Sequence, residues 1–190
     1  MDEFVLEDED FECYHFSDLD ESCLKKFSIH SPTGQGLLLY LKNMAKDEEK
    51  NHFSRVYIII KKTTKEVVAY FALRAGFVSV PIEGTTKFDS YPGIELEAIA
   101  VNDTFRQKYS EIRGIGKMIF VDFVVPLARL AAKIIGVHTL YIFAIPEEKL
   151  IRHYESWGFV RMKEDNEDFV HQHIKPKFDD DCIFMYQTLF

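Results

Sequence analysis

The sequence predicts a mixed α/β or α+β fold, in which a sheet flanked by helices contains one β-α-β unit. Two observations predict it: short runs with strand character alternate with helical patterns, and a glycine-rich turn in mid-chain joins an apolar strand to a long apolar helix. With 190 residues, 47% of them hydrophobic, the chain can bury a substantial core. We expect an acidic tail over residues 1–10 and a single domain over residues 11–190.

The first half of the chain is expected to supply two helices and a β-hairpin. The predicted elements are a strand over 11–16, helices over 21–29 and 36–45, strands over 55–61 and 66–74, and a continuation of the last strand over 76–80. The charge run 46–50 is expected to end the second helix. Residues 81–93 contain two prolines and two glycines, so they predict a long polar loop.

The second half is expected to contain the β-α-β unit and a closing strand. The predicted elements are a strand over 94–101, a loop over 102–112, a helix over about 114–135, a strand over 137–145, a helix over 146–156, a short strand over 158–162, a polar stretch over 163–181 and a strand over 182–189. Pro126 should bend the long helix, and Gly136 should cap its end.

The net charge of −8 is concentrated at the start of the chain. Residues 1–25 carry ten acidic side chains and one lysine, whereas the remaining residues carry 22 basic and 21 acidic side chains. Acidic runs are most often solvated surface, and a nucleic-acid partner usually requires a basic face. The charge therefore does not favour a nucleic-acid partner.

Cysteine usage and hydropathy indicate the compartment. The three cysteines form no CxxC pair, which argues against a disulfide scaffold or a zinc site and suits a reducing environment. The acidic start does not fit a signal or transit peptide, and the apolar run 118–135 is interrupted by charges and by Pro126. We therefore expect a cytoplasmic protein with no membrane partner.

The stretch from Glu95 to Lys117 is the main candidate for chemistry. It begins with an apolar strand that carries two carboxylates and ends in Arg113-Gly114-Ile115-Gly116-Lys117, directly before the long helix. Glycines let a backbone approach a ligand, and a helix start offers N–H groups to an anion. The turn is therefore a candidate phosphate site, although short glycine motifs also mark ordinary turns.

Three segments in this order resemble the GNAT superfamily of acyl-CoA-dependent N-acetyltransferases over roughly residues 11–190. They are the strand ending Ala98-Ile99-Ala100-Val101, the helix start Arg113-Gly114-Ile115-Gly116 and the run His153-Tyr154-Glu155-Ser156-Trp157-Gly158-Phe159. The hairpin 66–74 and residues 76–79 are also similar to bacterial GNAT proteins, including the branch that supplies toxins of toxin–antitoxin modules. The resemblance implies a mixed, mostly antiparallel sheet whose β-α-β unit binds acetyl-CoA.

The resemblance also implies a role for each motif. The backbone of Ile112, Arg113, Gly114, Ile115, Gly116 and Lys117 would bind the pyrophosphate of acetyl-CoA, the co-substrate, with no metal. The pantetheine arm would lie beside Ile99, Ala100 and Val101, where the N–H at Ile99 or a neighbour would polarise the acetyl carbonyl. Tyr154 would protonate the departing thiolate.

Two features depart from the family pattern. Glu111 stands where the family favours glutamine or arginine, so its side chain should turn away from a pyrophosphate. The segment between Val101 and Glu111 is also longer than usual, and Arg106 or Lys108 could supply a phosphate contact instead.

Attack by an amine needs a group that takes its proton. Glu95 and Glu97 share one face of the predicted strand, and either could act as the base; the alternative is an exposed or ion-paired carboxylate. For Tyr154 the alternative is a core aromatic, a role better suited to Trp157 and Phe159. The pair His171 and His173 lacks a third ligand and does not predict a metal site.

The leading hypothesis is an N-acetyltransferase that acts on the primary amine of a small molecule or peptide. One alternative is a toxin-type GNAT that acetylates aminoacyl-tRNA, for which Arg106, Lys108, Arg113 and Lys117 could form a local basic patch. The other is a non-catalytic acyl-CoA-binding module. A homodimer is left open.

Overall fold

The computed structural model describes residues 5–190. The strands are β1 (Leu6–Glu7), β2 (Phe11–His15), β3 (Arg55–Lys61), β4 (Val67–Pro81), β5 (Phe88–Val101), β6 (Thr139–Ala144), β7 (Val160–Arg161) and β8 (Ile183–Thr188). The α-helices are α1 (Gln35–Asn43), α2 (Ala45–Lys50), α3 (Asp103–Lys108), α4 (Ile115–Ile119), α5 (Val125–Ile135), α6 (Glu148–Glu155) and α7 (Glu164–His173).

The strands form one eight-stranded sheet in the order β1-β2-β3-β4-β5-β6-β8-β7. β5 and β6 pair in parallel, whereas β2 with β3, β3 with β4, β6 with β8 and β7 with β8 pair antiparallel. The last strand in sequence therefore inserts between β6 and β7. The predicted fold class, a mixed and mostly antiparallel sheet with one β-α-β unit, is confirmed.

The predicted loop over residues 81–93 is wrong. β4 continues to Pro81 and β5 begins at Phe88, so only a short turn joins them, closed by the Ile82 N–H donating to Lys87 O at 3.0 Å. Residues 88–92 are exposed. Because a strand with both faces in water has no alternation of apolar and polar residues, hydrophobic periodicity could not reveal it.

Three polar segments also contain helices that the sequence did not predict. The charge run 46–50 belongs to α2, where Glu49 is buried, accepts the Ser17 N–H at 3.0 Å and places its other oxygen 3.3 Å from His15 Nδ1. The predicted loop 102–112 contains α3, and the polar stretch 163–181 contains α7. Buried glutamates fix two of these helices, since Glu167 of α7 accepts the Phe184 N–H at 2.9 Å. A hydrophobic pattern does not register such contacts.

At the start of the chain, Leu6–Glu7 pairs with β2, although residues 1–10 were expected to be a tail; residues 1–4 lie outside the described part. The helix expected over 21–29 is a 3-10 helix, Glu21–Lys26, capped by Asp20. The Asp20 side chain accepts a hydrogen bond from the Ser22 N–H at 2.8 Å.

The long helix of the β-α-β unit is interrupted just before Pro126, where the sequence predicted a bend. A π-helical turn, Phe120–Val124, separates α4 from α5, and the Val125 N–H donates to Phe120 O. Proline has no N–H to continue the helical ladder, which explains the irregularity at this place. Gly136 ends α5 at φ +56° and donates to Ala132 O at 3.1 Å, as expected of a C-cap.

The chain divides into two compact units, and the boundaries fall inside β4, β5 and α5. Unit 1 contains the chain up to Arg74 together with Ala98–Pro126. Its core includes Phe16, Leu24, Phe27, Ile29, Tyr40, Leu41, Val56, Ile58, Tyr70 and Ala98. Asn102 caps α3 by accepting from Thr104 N–H at 3.1 Å, and it also donates to Val67 O at 2.8 Å. The end of β5 is thereby fixed to β4 within this unit.

Unit 2 contains Ala75–Glu97 and Leu127–Phe190. Its core is built around Tyr141, which is 1% exposed and packs at 5.4 Å from the Phe184 ring. Two glycines make room for this ring. A Cβ at Gly93 would lie 2.9 Å from Tyr141 Cε1, and a Cβ at Gly76 would collide with Tyr141 Oη. Tyr141 therefore requires glycine at both positions.

We predict that Gly76→Ala lowers the free energy of unfolding by about 1–3 kcal/mol, because the buried tyrosine ring cannot yield without strain. Adding Tyr141→Phe removes the hydroxyl that collides, so the double variant should lose much less than the sum of the two single effects. Denaturant unfolding of all four proteins measures this coupling.

Gly36→Ala is the matched control, since no atom lies within 4 Å of the added Cβ and the site is in α1. Alanine there should raise stability by about 0.5–1 kcal/mol. Additive effects of Gly76→Ala and Tyr141→Phe would show that the collision with Tyr141 does not explain the glycine.

Candidate active site

The parallel ladder between β5 and β6 is short. It joins Gly93 with Thr139, Ile94 with Leu140 and Glu95 with Tyr141. Both strands continue beyond this last pair, and β6 keeps its pairing with β8 up to Ala144. Beyond Tyr141, β6 is thus paired with β8 on one side but no longer with β5 on the other. A backbone edge of this kind can accept an added extended ligand.

Two buried carboxylates lie where the ladder ends. Glu95 is 3% and Glu97 is 7% exposed, and they share one face of β5 because strand side chains alternate. The Tyr141 hydroxyl donates to Glu95 Oε2 at 3.4 Å, and Lys177 Nζ donates to Glu97 Oε1 at 2.7 Å. Unit 2 therefore holds two acidic groups out of water, and one of them binds a primary ammonium.

Tyr154 lies near the end of α6, where the chain turns sharply. Gly158 has φ +94°, and the N–H groups of Trp157 and Phe159 both donate to Tyr154 O, at 2.9 and 3.2 Å. The Tyr154 ring packs edge-on against Trp157 at 5.4 Å and against Phe159 at 6.1 Å. The last two are buried, and the core role expected of them agrees with this packing.

The same packing affects the pKa of the Tyr154 hydroxyl. Burial, with a smaller effect of Cys182, raises the pKa of Tyr154 to about 12. The phenol therefore keeps its proton throughout the physiological pH range and can act as a donor.

The glycine turn lies in unit 1. Gly114 has φ +70° and ψ +17°, the left-handed conformation that glycine adopts without strain, and it directly precedes α4. The helical ladder begins with Met118 N–H donating to Gly114 O at 3.0 Å, so the N–H groups of Ile115 and Gly116 come before it. Arg113, Gly114 and Lys117 are exposed, whereas Ile115 is buried and anchors the turn.

The basic residues that precede the glycine turn in the sequence contact carboxylates within unit 1. Lys108 donates to both carboxylate oxygens of Glu66, at 2.7 and 2.9 Å, and this contact, followed by one from Tyr109, lowers the pKa of Glu66. Arg106 lies 3.5 Å from an oxygen of Asp103. Glu111 is exposed. Lys108 is therefore already paired with a carboxylate, which weakens its case as a phosphate ligand.

A cavity of about 270 Å³ opens in unit 1, lined by residues between Phe16 and Asp47. Its apolar lining is Phe16, Leu24 and Leu41, and a charged rim surrounds it. Lys46 bridges part of this rim by pairing with Glu21 at 3.0 Å. The apolar lining belongs to the same core as Ala98 of β5.

Sequence reasoning did not find Lys177 or the part played by Tyr141. Lys177 lies in a polar segment without a motif, and Tyr141 was hidden in an apolar strand. The only available signal was the pair of glycines, 76 and 93, because a glycine inside a strand often marks close approach of another group.

Two features are absent from residues 5–190. No three histidine, cysteine or acidic side chains are grouped there as metal ligands. Among the same residues, no helix combines the length and the hydropathy needed to cross a bilayer.

The sequence matches no family model and no curated protein, but solved structures match nearly the whole chain. A tyrosine-to-phenylalanine mutant of the toxin AtaT, bound to the C-terminus of the antitoxin AtaR and acetyl-CoA, is 18% identical, with 95% of this chain and 94% of that chain covered and a TM-score of 0.65. A tyrosine-to-phenylalanine mutant of KacT is 17% identical, with 95% and 96% covered and a TM-score of 0.67.

AtaT complexed with acetyl-methionyl-tRNAfMet is 18% identical, with 92% of this chain and 94% of that chain covered and a TM-score of 0.65. At such identities, structural likeness establishes the fold and not the activity. The chain therefore has the GNAT-like fold that its motifs predicted, in common with the toxin AtaT and with KacT.

Proposed function

We propose that this chain is an N-acetyltransferase that transfers the acetyl group of acetyl-CoA to a primary amine. The observation that carries the proposal is the end of the β5–β6 ladder beside two buried carboxylates, in a fold whose solved examples include AtaT bound to acetyl-CoA. An extended pantetheine arm would complete the open backbone edge, and a carboxylate would accept the proton of the amine.

The cofactor-binding roles are assigned to unit 1. The N–H groups around Gly114 would bind the pyrophosphate, since they precede the helical ladder and the turn is exposed. The backbone of Ile99–Val101 would lie along the pantetheine arm, and the N–H at Ile99 or a neighbour would polarise the carbonyl. Arg113 and Lys117, both exposed, would add positive charge beside the phosphates.

For an external amine, we assign the role of base to Glu95. Glu97 already binds the ammonium of Lys177 at 2.7 Å, so an acceptor would have to replace that lysine. Glu95 accepts a hydrogen bond of 3.4 Å from the Tyr141 hydroxyl. Glu95 also belongs to the last residue pair of the β5–β6 ladder, at the opening where the acetyl group would lie, which favours it as the base.

Tyr154 is assigned the role of general acid, because its half-buried phenol keeps a proton to give to the thiolate. We predict that Tyr154→Phe lowers kcat about 100-fold, with little change in KM for acetyl-CoA. Since the pKa of Tyr154 is about 12, the ratio of wild-type to mutant kcat should stay constant between pH 7 and pH 10. Release of free thiol from acetyl-CoA with a panel of amines measures both quantities.

Tyr91→Phe is the matched control, since Tyr91 is an exposed tyrosine of the same unit and should leave kcat unchanged. Equal turnover by Tyr154→Phe and wild type would refute the acid role. Calorimetric binding of acetyl-CoA without thiol release from any amine would indicate the non-catalytic binding module instead.

Aminoacyl-tRNA is a second candidate acceptor, favoured by the likeness to AtaT complexed with acetyl-methionyl-tRNAfMet. Its amino group is a primary amine and would need the same chemistry. The charges oppose it: beyond residue 25 the chain is nearly neutral, and Lys108 is paired with Glu66. Few phosphate contacts are therefore available.

We predict that binding of tRNA depends weakly on salt, with a log–log slope smaller than about 2 in magnitude, because fewer than three phosphates would be neutralised. Binding measured over a salt series, together with acetyl transfer to charged and uncharged tRNA, tests this. A steep slope and selective acetylation of charged tRNA would establish the second candidate in place of a small-molecule or peptide amine.

A further inference from the structure

Lys177 places a primary amine of the chain itself against a carboxylate of the candidate active site. Its Nζ lies 2.7 Å from Glu97 Oε1, and the side chains are 15% and 0% exposed, respectively. Lys177 comes from the segment between α7 and β8 and belongs to the same unit as Glu97 and Tyr154. The sequence offers no reason for this contact, and the transfer to an external amine does not use it.

We propose that Lys177 is a site of self-acetylation, at which its amine takes the acetyl group of acetyl-CoA in the absence of another acceptor. The proposal rests on the proposed function, since it needs the same acetyl donor. Its own basis is the contact itself: Glu97 lies on the same face of β5 as Glu95, the residue at which the pairing of β5 with β6 ends. The amine is therefore held beside the opening at which we place the acetyl group.

The contact also provides the proton transfer that the reaction needs. The ammonium of Lys177 gives one proton to Glu97, and the neutral amine then attacks the thioester carbonyl. A C–N bond forms and the C–S bond breaks, so the acetyl group becomes an amide and the sulfur leaves as a thiolate. Tyr154 protonates that thiolate. The second proton leaves the nitrogen as the amide forms and restores the Tyr154 phenol, while the first passes from Glu97 to solvent. Of the two protons that the ammonium loses in total, one is thus matched by the proton on coenzyme A and one ends in solvent.

Lys175 is a natural internal reference for the proposal. It lies two residues away and is exposed, whereas Lys177 is mostly buried in its ion pair. Uncatalysed acetylation by a thioester favours an accessible amine, so it should modify Lys175 before Lys177. Self-acetylation reverses this order, because it depends on position beside Glu97 and not on exposure.

The test is to incubate the full chain with isotope-labelled acetyl-CoA without any amine and to locate the label by tandem mass spectrometry. We expect label at Lys177 at least about 10-fold faster than at Lys175, with a first-order rate that is unchanged over a tenfold range of protein concentration. Lys175→Arg should leave labelling of Lys177 intact. Lys177→Arg, which keeps a cation for Glu97, should remove the fast phase, and Tyr154→Phe should slow it about 100-fold.

Label spread over exposed lysines and unaffected by Tyr154→Phe would overturn the proposal in favour of chemical acetylation. Acetylation of an added amine with Lys177 unlabelled would overturn self-acetylation and leave the proposed function standing. Failure to bind acetyl-CoA in calorimetry would overturn both.

Discussion

The burial of two carboxylates on β5 is the constraint on which the rest of unit 2 depends. A carboxylate removed from water is strongly destabilising unless it gains a partner. Glu95 accepts a hydrogen bond from the Tyr141 hydroxyl. The Tyr141 ring fits only because positions 76 and 93 are glycine. Glu97 receives the ammonium of Lys177. Two charged groups are thus buried on one strand against the usual preference for apolar residues, and side chains from neighbouring elements offset the cost. Such an exception is typical of a functional site.

The two candidate groups for proton transfer differ in their surroundings in a way that suits their roles. Aromatic packing around Tyr154 stabilises the neutral phenol, so the hydroxyl remains a donor. The carboxylates of β5 accept hydrogen bonds from Tyr141 and Lys177, which hold their acceptor oxygens in place. One group holds a proton and the other can receive one, and amide formation from an ammonium and a thioester needs both.

Much of the fold followed from the sequence, and the failures have two causes. β3 matched its prediction at both ends, and the glycine turn before the long helix was found, because buried strands and left-handed glycines leave strong local signals. The exposed end of β5, the helices α2 and α7, and the Lys177–Glu97 pair were missed. The helices and the ion pair depend on polar contacts between residues distant in sequence, such as Glu167 with Phe184, and a local pattern does not encode these. The end of β5 is exposed on both faces and therefore shows no hydrophobic alternation.

A crystal structure of the chain with coenzyme A is the most direct measurement of the central claim. The account predicts pyrophosphate oxygens within hydrogen-bond distance of the N–H groups around Gly114, and the coenzyme A sulfur within hydrogen-bond distance of the Tyr154 hydroxyl. A pyrophosphate bound elsewhere, or a sulfur remote from Tyr154, would contradict the assignment of these residues to acetyl transfer.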